Sequence, residues 1–73
     1  MHSLNELTDL WPSVAEFARD SGIKPSHAHV MLVRGAIPVA YWPAIIQAAE
    51  DRGIVGVTSE ALMKIHTERA TAR

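Results

Sequence analysis

Residues 13–34 constrain the fold most, because they combine two helix starts with a glycine between them. Ser13 and Glu16 have the three-residue spacing of a capping box, which opens a helix. Gly22 stands where that helix must end, and Pro25 suits the first turn of a second helix, where its missing N–H costs nothing. The spacing therefore predicts two short helices joined by a sharp turn, which is the plan of a helix-turn-helix.

The apolar residues of this segment fit the same plan. The residues expected to face inward are Phe17, Ala18, Ile23, Ala28 and Met31. The outward side of the second helix is expected to carry Val30 and Val33, with only Lys24 and Arg34 as fixed positive charges near it. The helix-turn-helix plan makes DNA binding one hypothesis for this segment. The apolar outward side, with few positive charges, argues against it.

Similar start and stop signals divide the chain into about five short helices, and no segment alternates with period two, so we expect an all-α bundle. The helices are expected to end near Leu10, Gly22, Arg34, Arg52 and Ala70, with the last few residues frayed. The fourth is expected to begin near Val39, and Thr58 caps the fifth. Ile54–Val57 is either one short strand or a packed loop. Outside residues 13–34, the expected core is Leu4, Leu7, Trp42, Ile45, Ile46, Ala49, Leu62 and Ile65.

Length and charge limit the function classes. The chain has 73 residues, so we expect one domain, 1–73, that buries only about 60% of its unfolded surface. Pairing as a homodimer or docking on a protein partner is a common remedy for such marginal stability. The net charge of −1 gives no overall attraction to phosphate, so any basic surface must be local. No apolar run approaches the roughly 20 residues of a membrane span, and the first residues lack a signal-peptide pattern. We therefore expect a cytoplasmic protein with no membrane partner.

The polar residues form no catalytic or metal-binding pattern. His27 and His29 lie two positions apart, so on a helix they point about 200° apart and cannot chelate one ion. His66 lies beside the apolar stripe of the last helix, which favours a half-buried structural role, and Glu50 and Asp51 suit a solvated face. The chain has no cysteine and neither a nucleophile elbow nor a phosphate-binding loop. We therefore expect no enzyme, no cofactor, no metal and no small-molecule substrate.

Four segments carry a resemblance that covers nearly the whole chain: Trp11–Ile23, Arg34–Pro38, Tyr41–Pro43 and Gly53–Thr58. Together they resemble the small Cro-type and YdaS-like helix-turn-helix regulators of bacteria and their phages. The resemblance implies a transcriptional regulator that places the second helix of the motif in the major groove of double-stranded DNA, commonly as a dimer.

The resemblance also assigns candidate contacts. Its base-facing positions fall on Lys24, Pro25, Ser26 and Val30, and its phosphate-facing positions on His27, His29 and Arg34. The chain departs from the pattern, because Met31, Leu32 and Val33 stand where such regulators place an aromatic residue and a cluster of Lys or Arg. Two or three expected phosphate contacts are missing, which lowers the expected affinity by one to a few powers of ten at physiological salt.

The same surface supports a second hypothesis, a protein-interaction module on the helix-turn-helix scaffold. Such a module is an antirepressor, an anti-activator or a subunit that docks on polymerase or another regulator. Its anchor is an exposed apolar patch of Val30, Val33 and Ile37. The two hypotheses differ over what the outward side of the helix contacts, DNA bases in one case and an apolar groove of a partner in the other.

Overall fold

The structure, a computed structural model, describes residues 3–71, with side chains described as far as Thr67. In that range the chain forms α1 (Leu4–Thr8), α2 (Val14–Asp20), α3 (Pro25–Arg34), a 3-10 turn (Val39–Tyr41), α4 (Trp42–Arg52) and α5 (Ser59–Thr71). No strand occurs among these residues, so the predicted all-α class is confirmed. The expected fraying beyond α5 falls on residues outside those described.

Hydroxyl side chains cap three of the helices at their first turns. Each hydroxyl accepts a hydrogen bond from the backbone N–H three residues later, which satisfies one of the orphan donors of the helix. The pairs are Ser3 with Glu6 at 3.3 Å, Ser13 with Glu16 at 3.2 Å, and Thr58 with Ala61 at 3.1 Å. These contacts confirm the predicted starts of α2 and α5, and they place the start of α1 after Ser3.

Glycines in the left-handed region end the middle three helices. Gly22 follows α2 with φ +71°, and the N–H of Ile23 donates to the carbonyl of Ala18 at 2.8 Å. A residue with a Cβ rarely adopts this φ, so the glycine is required by the turn itself. Gly35 and Gly53 end α3 and α4 with φ of +73° and +78°. Residues 13–34 thus contain the two helices and the turn expected of a helix-turn-helix, whose identification as such stays a prediction.

One hydrophobic core joins all five helices. Its buried members are Leu4, Leu7, Trp11, Phe17, Ala18, Ile23, Ala28, Met31, Ile37, Ile45, Ala48, Ala49, Val57, Leu62 and Ile65. Segment 54–57 is a loop that buries Val57, which resolves the choice between strand and loop. Trp42 and Ile46, expected in the core, are only half-buried and pack against its edge.

Two helix boundaries differ from the expected ones. Helix α1 ends at Thr8, and Leu10 lies in the following turn with 42% of its surface exposed. The helix expected from Val39 is a 3-10 turn as far as Tyr41, and α4 begins only at Trp42. The reason is Pro43, which lacks an N–H and so belongs in the first turn of a helix. None of the helices in the described part of the chain has the length and apolar character needed to cross a membrane.

Candidate nucleic-acid interface

The outward surface of α3 follows from the two residues that it buries. Ala28 and Met31 are 1% and 4% exposed, so they fix the inward direction of the helix. Successive residues of a helix turn by about 100°, which places Ser26, Val30 and Val33 on the opposite side. All three are exposed, Val33 at 88% and Val30 at 44%. We call Ser26, Val30 and Val33 the outward ridge.

The other predicted site residues flank this ridge. By the same helical geometry, His27 and Arg34 lie along one side of it and His29 along the other. Lys24 is the N-cap residue of α3, with extended backbone at φ −64° and ψ 136°. All six residues predicted to contact DNA are therefore exposed on α3 or at its start: Lys24, Ser26, His27, His29, Val30 and Arg34. Their contact with DNA stays a prediction.

A shallow pocket of about 250 Å³ borders the ridge on the side of Arg34. It lies between α3 and the segment that follows it, and its lining is His27, Val30, Met31, Arg34, Ala36, Ile37 and Pro38. The ring of His27 packs edge-on against Tyr41, with ring centroids 5.6 Å apart and planes at 81°. The pocket thus has mainly apolar walls with one imidazole and one guanidinium, which gives this side of α3 hydrogen-bond donors suited to an anion.

Ile37 does not belong to the exposed surface, which corrects the predicted patch of Val30, Val33 and Ile37. Its side chain is 4% exposed and belongs to the core. Its N–H donates to Nε2 of His66 at 3.0 Å, and its carbonyl accepts from Nε1 of Trp42 at 3.0 Å. The backbone N–H and carbonyl of Ile37 are therefore bonded to α5 and α4, and these bonds hold the segment against the core. Only Val30 and Val33 of the predicted patch remain exposed.

His66 has the structural role that its position predicted. It is half-buried, and its Nδ1 lies 2.7 Å from the carbonyl of Leu62 while its Nε2 accepts from Ile37. An acceptor at Nε2 places the proton on Nδ1, which donates to the Leu62 carbonyl. The ring also lies against Trp42, with centroids 5.4 Å apart.

The charges of the chain are segregated, a feature that was not predicted although the sequence contains it. No Asp or Glu occurs between Asp20 and Glu50, whereas Lys24 and Arg34 both lie in that interval. All of α3 and most of α4 are therefore free of carboxylates, in a chain whose net charge is −1. The spacing of acidic residues along the sequence was the available signal. Helix α3 itself contributes a cationic side chain, Arg34, and no carboxylate to the surface.

Both carboxylates of α2 form ion pairs with Arg52 of α4. Arg52 donates from Nε to Asp20 at 2.7 Å and from Nη2 to Glu16 at 3.2 Å. Nε1 of Trp11 donates to the same oxygen of Asp20 at 3.0 Å. The hydrogen bond from Arg52 lowers the pKa of Asp20, and the bond to Asp20 raises the pKa of Arg52. This cluster was not predicted, because its partners lie up to 36 residues apart with no local pattern. The cluster attaches α4 to α2, so Arg52 has a structural role.

Comparison with protein-family models, with curated proteins and with solved structures finds no match to the chain. The likeness to Cro-type and YdaS-like regulators thus rests on the sequence segments alone. The fold and the site define a small all-α protein in which α3 lies in a stretch of sequence without carboxylates and exposes two valines on its outward side. Within the described residues, no three His, Cys, Asp or Glu side chains are placed to hold a metal ion together.

Proposed function

We propose that the chain is a DNA-binding transcriptional regulator that inserts α3 into the major groove. The observation that supports this most is the setting of the outward ridge. It is flanked by Lys24 at the start of the helix and Arg34 at its end, within a stretch that contains no carboxylate. A surface of this kind attracts phosphate locally even though the whole chain is weakly acidic.

The dimensions of α3 fit this role. A helix with its side chains is about 10–12 Å wide, and the major groove is about 12 Å wide. Lys24 and Arg34 lie ten residues apart, which corresponds to about 15 Å along the helix axis. Side chains at that separation reach phosphates on either side of the few base pairs that the ridge covers. The resemblance gives Lys24 a base-facing position, but Lys24 is the N-cap residue at the very start of α3. We therefore place Lys24 with Arg34 and the imidazoles of His27 and His29 on phosphates, where they position the helix, and the ridge faces the bases.

Selection from random duplexes near 50 mM salt tests this function. We expect a preferred site, with a slope of log affinity against log salt of about −2 for two phosphate contacts. Lys24→Ala and Arg34→Ala should each weaken binding, and Lys24→Ala should reduce the slope by about one.

The matched control is Lys64→Ala, which removes the same charge from an exposed position on α5. It should leave the affinity within about twofold of wild type, since it lies on a helix that the proposed complex does not place in the groove. If Lys64→Ala weakened binding as much as Lys24→Ala does, binding would depend on the total charge and not on the position of Lys24, which would contradict the proposed placement of α3. A folded protein that prefers no duplex would refute the function.

The second candidate is the protein-interaction module, and the exposure of Val33 at 88% is what favours it. In that case the ridge docks in an apolar groove of a partner or of a second copy. Val33→Lys separates the candidates, because a charge there disrupts an apolar contact and adds attraction to phosphate. Weaker self-association or partner binding, measured by sedimentation and pull-down, supports the module. Unchanged protein contacts together with tighter binding to a scrambled duplex would exclude the module.

A further inference from the structure

We infer that this chain recognises its DNA site through thymine methyl groups, which Val30 and Val33 contact. This inference rests on the proposed function and goes further, since it names the chemical group that is read. It concerns the outward ridge, where both valines are exposed opposite the buried Ala28 and Met31.

The composition of the ridge carries the argument. Pairs of hydrogen bonds to a purine come from Arg, Lys, Asn or Gln, and the ridge consists of Ser26, Val30 and Val33. The two valines expose only methyl groups, and among the four unmodified bases only thymine presents a methyl group in the major groove. A valine held against the polar edge of a G·C pair would instead leave base donors and acceptors without water or partner, which is unfavourable. The favourable contact with a methyl group and the cost of facing a G·C pair therefore both select thymine at these positions.

The spacing of the valines fits neighbouring bases. Residues three apart on a helix have Cβ atoms about 5–6 Å apart, and successive bases of one strand rise by about 3.4 Å. Val30 and Val33 therefore reach methyl groups one or two base pairs apart. Valine in a helix also occupies one χ1 rotamer in about 90% of cases, so its methyl groups are held in place before DNA binds. Little side-chain entropy is lost when the contact forms.

Replacing thymine by deoxyuridine tests the inference, because it removes the methyl group and keeps base pairing. The probe is the duplex selected by the protein, with each thymine replaced in turn. We expect one or two positions at which the replacement weakens binding about fourfold, the value for one buried methyl-sized group. At all other thymines the change should be within the error of the measurement.

Variants then assign each sensitive position. At each sensitive position, either Val33→Ala or Val30→Ala should bind the thymine and uracil duplexes equally, because the contact with that methyl group is already lost. Val55→Ala is the matched control, since Val55 is also 88% exposed but lies in the loop before α5. It should retain the full discrimination of the wild type.

The outcomes separate the inference from the function beneath it. A protein that prefers its selected site over a scrambled one, yet binds uracil and thymine equally at every position, keeps its function and refutes methyl recognition. Discrimination that persists in both alanine variants also refutes it, since another residue must then read the methyl group. Absence of any preferred site refutes both the inference and the proposed function.

Discussion

His66 joins the last helix to the segment that follows α3 through both nitrogens of its ring. Nε2 accepts from the N–H of Ile37 at 3.0 Å, and Nδ1 donates to the carbonyl of Leu62 at 2.7 Å. The bond to Ile37 fixes one wall of the pocket beside Arg34. Its half-buried position was predictable from Leu62 and Ile65 on the same helix. Its bond to Ile37 was not, because the two residues lie 29 positions apart.

Removing this acceptor should destabilise the fold. We expect His66→Ala to lower the free energy of unfolding by about 1–3 kcal/mol, because the N–H of the buried Ile37 loses its partner. Urea unfolding followed by circular dichroism measures the change. His29→Ala is the control, since His29 is exposed, and its effect should stay within about 0.5 kcal/mol. Equal effects of the two substitutions would contradict the structural role of His66.

At the scale of the elements, the helix ends that the sequence predicts well are those determined by adjacent residues. Gly22 and Gly35 follow the last residues of their helices by two residues and one residue, and Ser13 marks its helix start. The start of α4 was predicted three residues early, because Val39–Tyr41 forms a 3-10 turn before the first α-helical turn that contains Pro43. The candidate site was predictable as an exposed face of α3 but not in the burial of Ile37, which contacts on α4 and α5 determine.

Gly22 provides the sharpest test of such an end. A Cβ at this position would meet no atom within 4 Å, so any cost of substitution comes from the backbone at φ +71°. We expect Gly22→Ala to cost about 1–2 kcal/mol, and Gly22→Val at least as much. Gly22→Asn should cost less, because Asn tolerates the left-handed region better. Thermal unfolding of the three variants measures this order, and equal melting temperatures for all three and the wild type would contradict it.

Across the whole molecule, opposite charges serve different purposes. The paired charges of Glu16, Asp20 and Arg52 bind α2 to α4, whereas Lys24 and Arg34 lie in the stretch without carboxylates. A net charge of −1 averages these two regions and conceals the difference. The total charge therefore says little about any one surface, whereas the position of each acid along the chain distinguishes the two regions.

The Asp20–Arg52 pair should make the stability of the whole fold depend on pH. The hydrogen bond from Arg52 holds the pKa of Asp20 below its usual 3.8. A lowered pKa in the folded state stabilises the fold above the usual value, and this contribution is lost as the pH falls through the lowered value. We expect Asp20→Asn to be less stable than wild type at pH 7 and to lose less on acidification below about pH 4.

Urea unfolding at neutral and acidic pH measures this difference. Glu50→Gln is the matched control, because it removes one negative charge from an exposed position on α4. Its stability should follow that of the wild type at both pH values, within about 0.5 kcal/mol. An Asp20→Asn protein that loses as much stability in acid as the wild type would show that the pair does not determine the acid response.

The glycine-terminated helix ends also bear on how fast the chain folds. The bonds from Ile23 to Ala18, from Ala36 to Met31 and from Ile54 to Ala49 each close only five residues of chain. Local contacts of this kind require little loop closure, and helical proteins that are rich in them fold within microseconds to milliseconds. The Asp20–Arg52 contact closes 32 residues and is expected to form after the transition state. Its loss should therefore speed unfolding and leave the folding rate nearly unchanged.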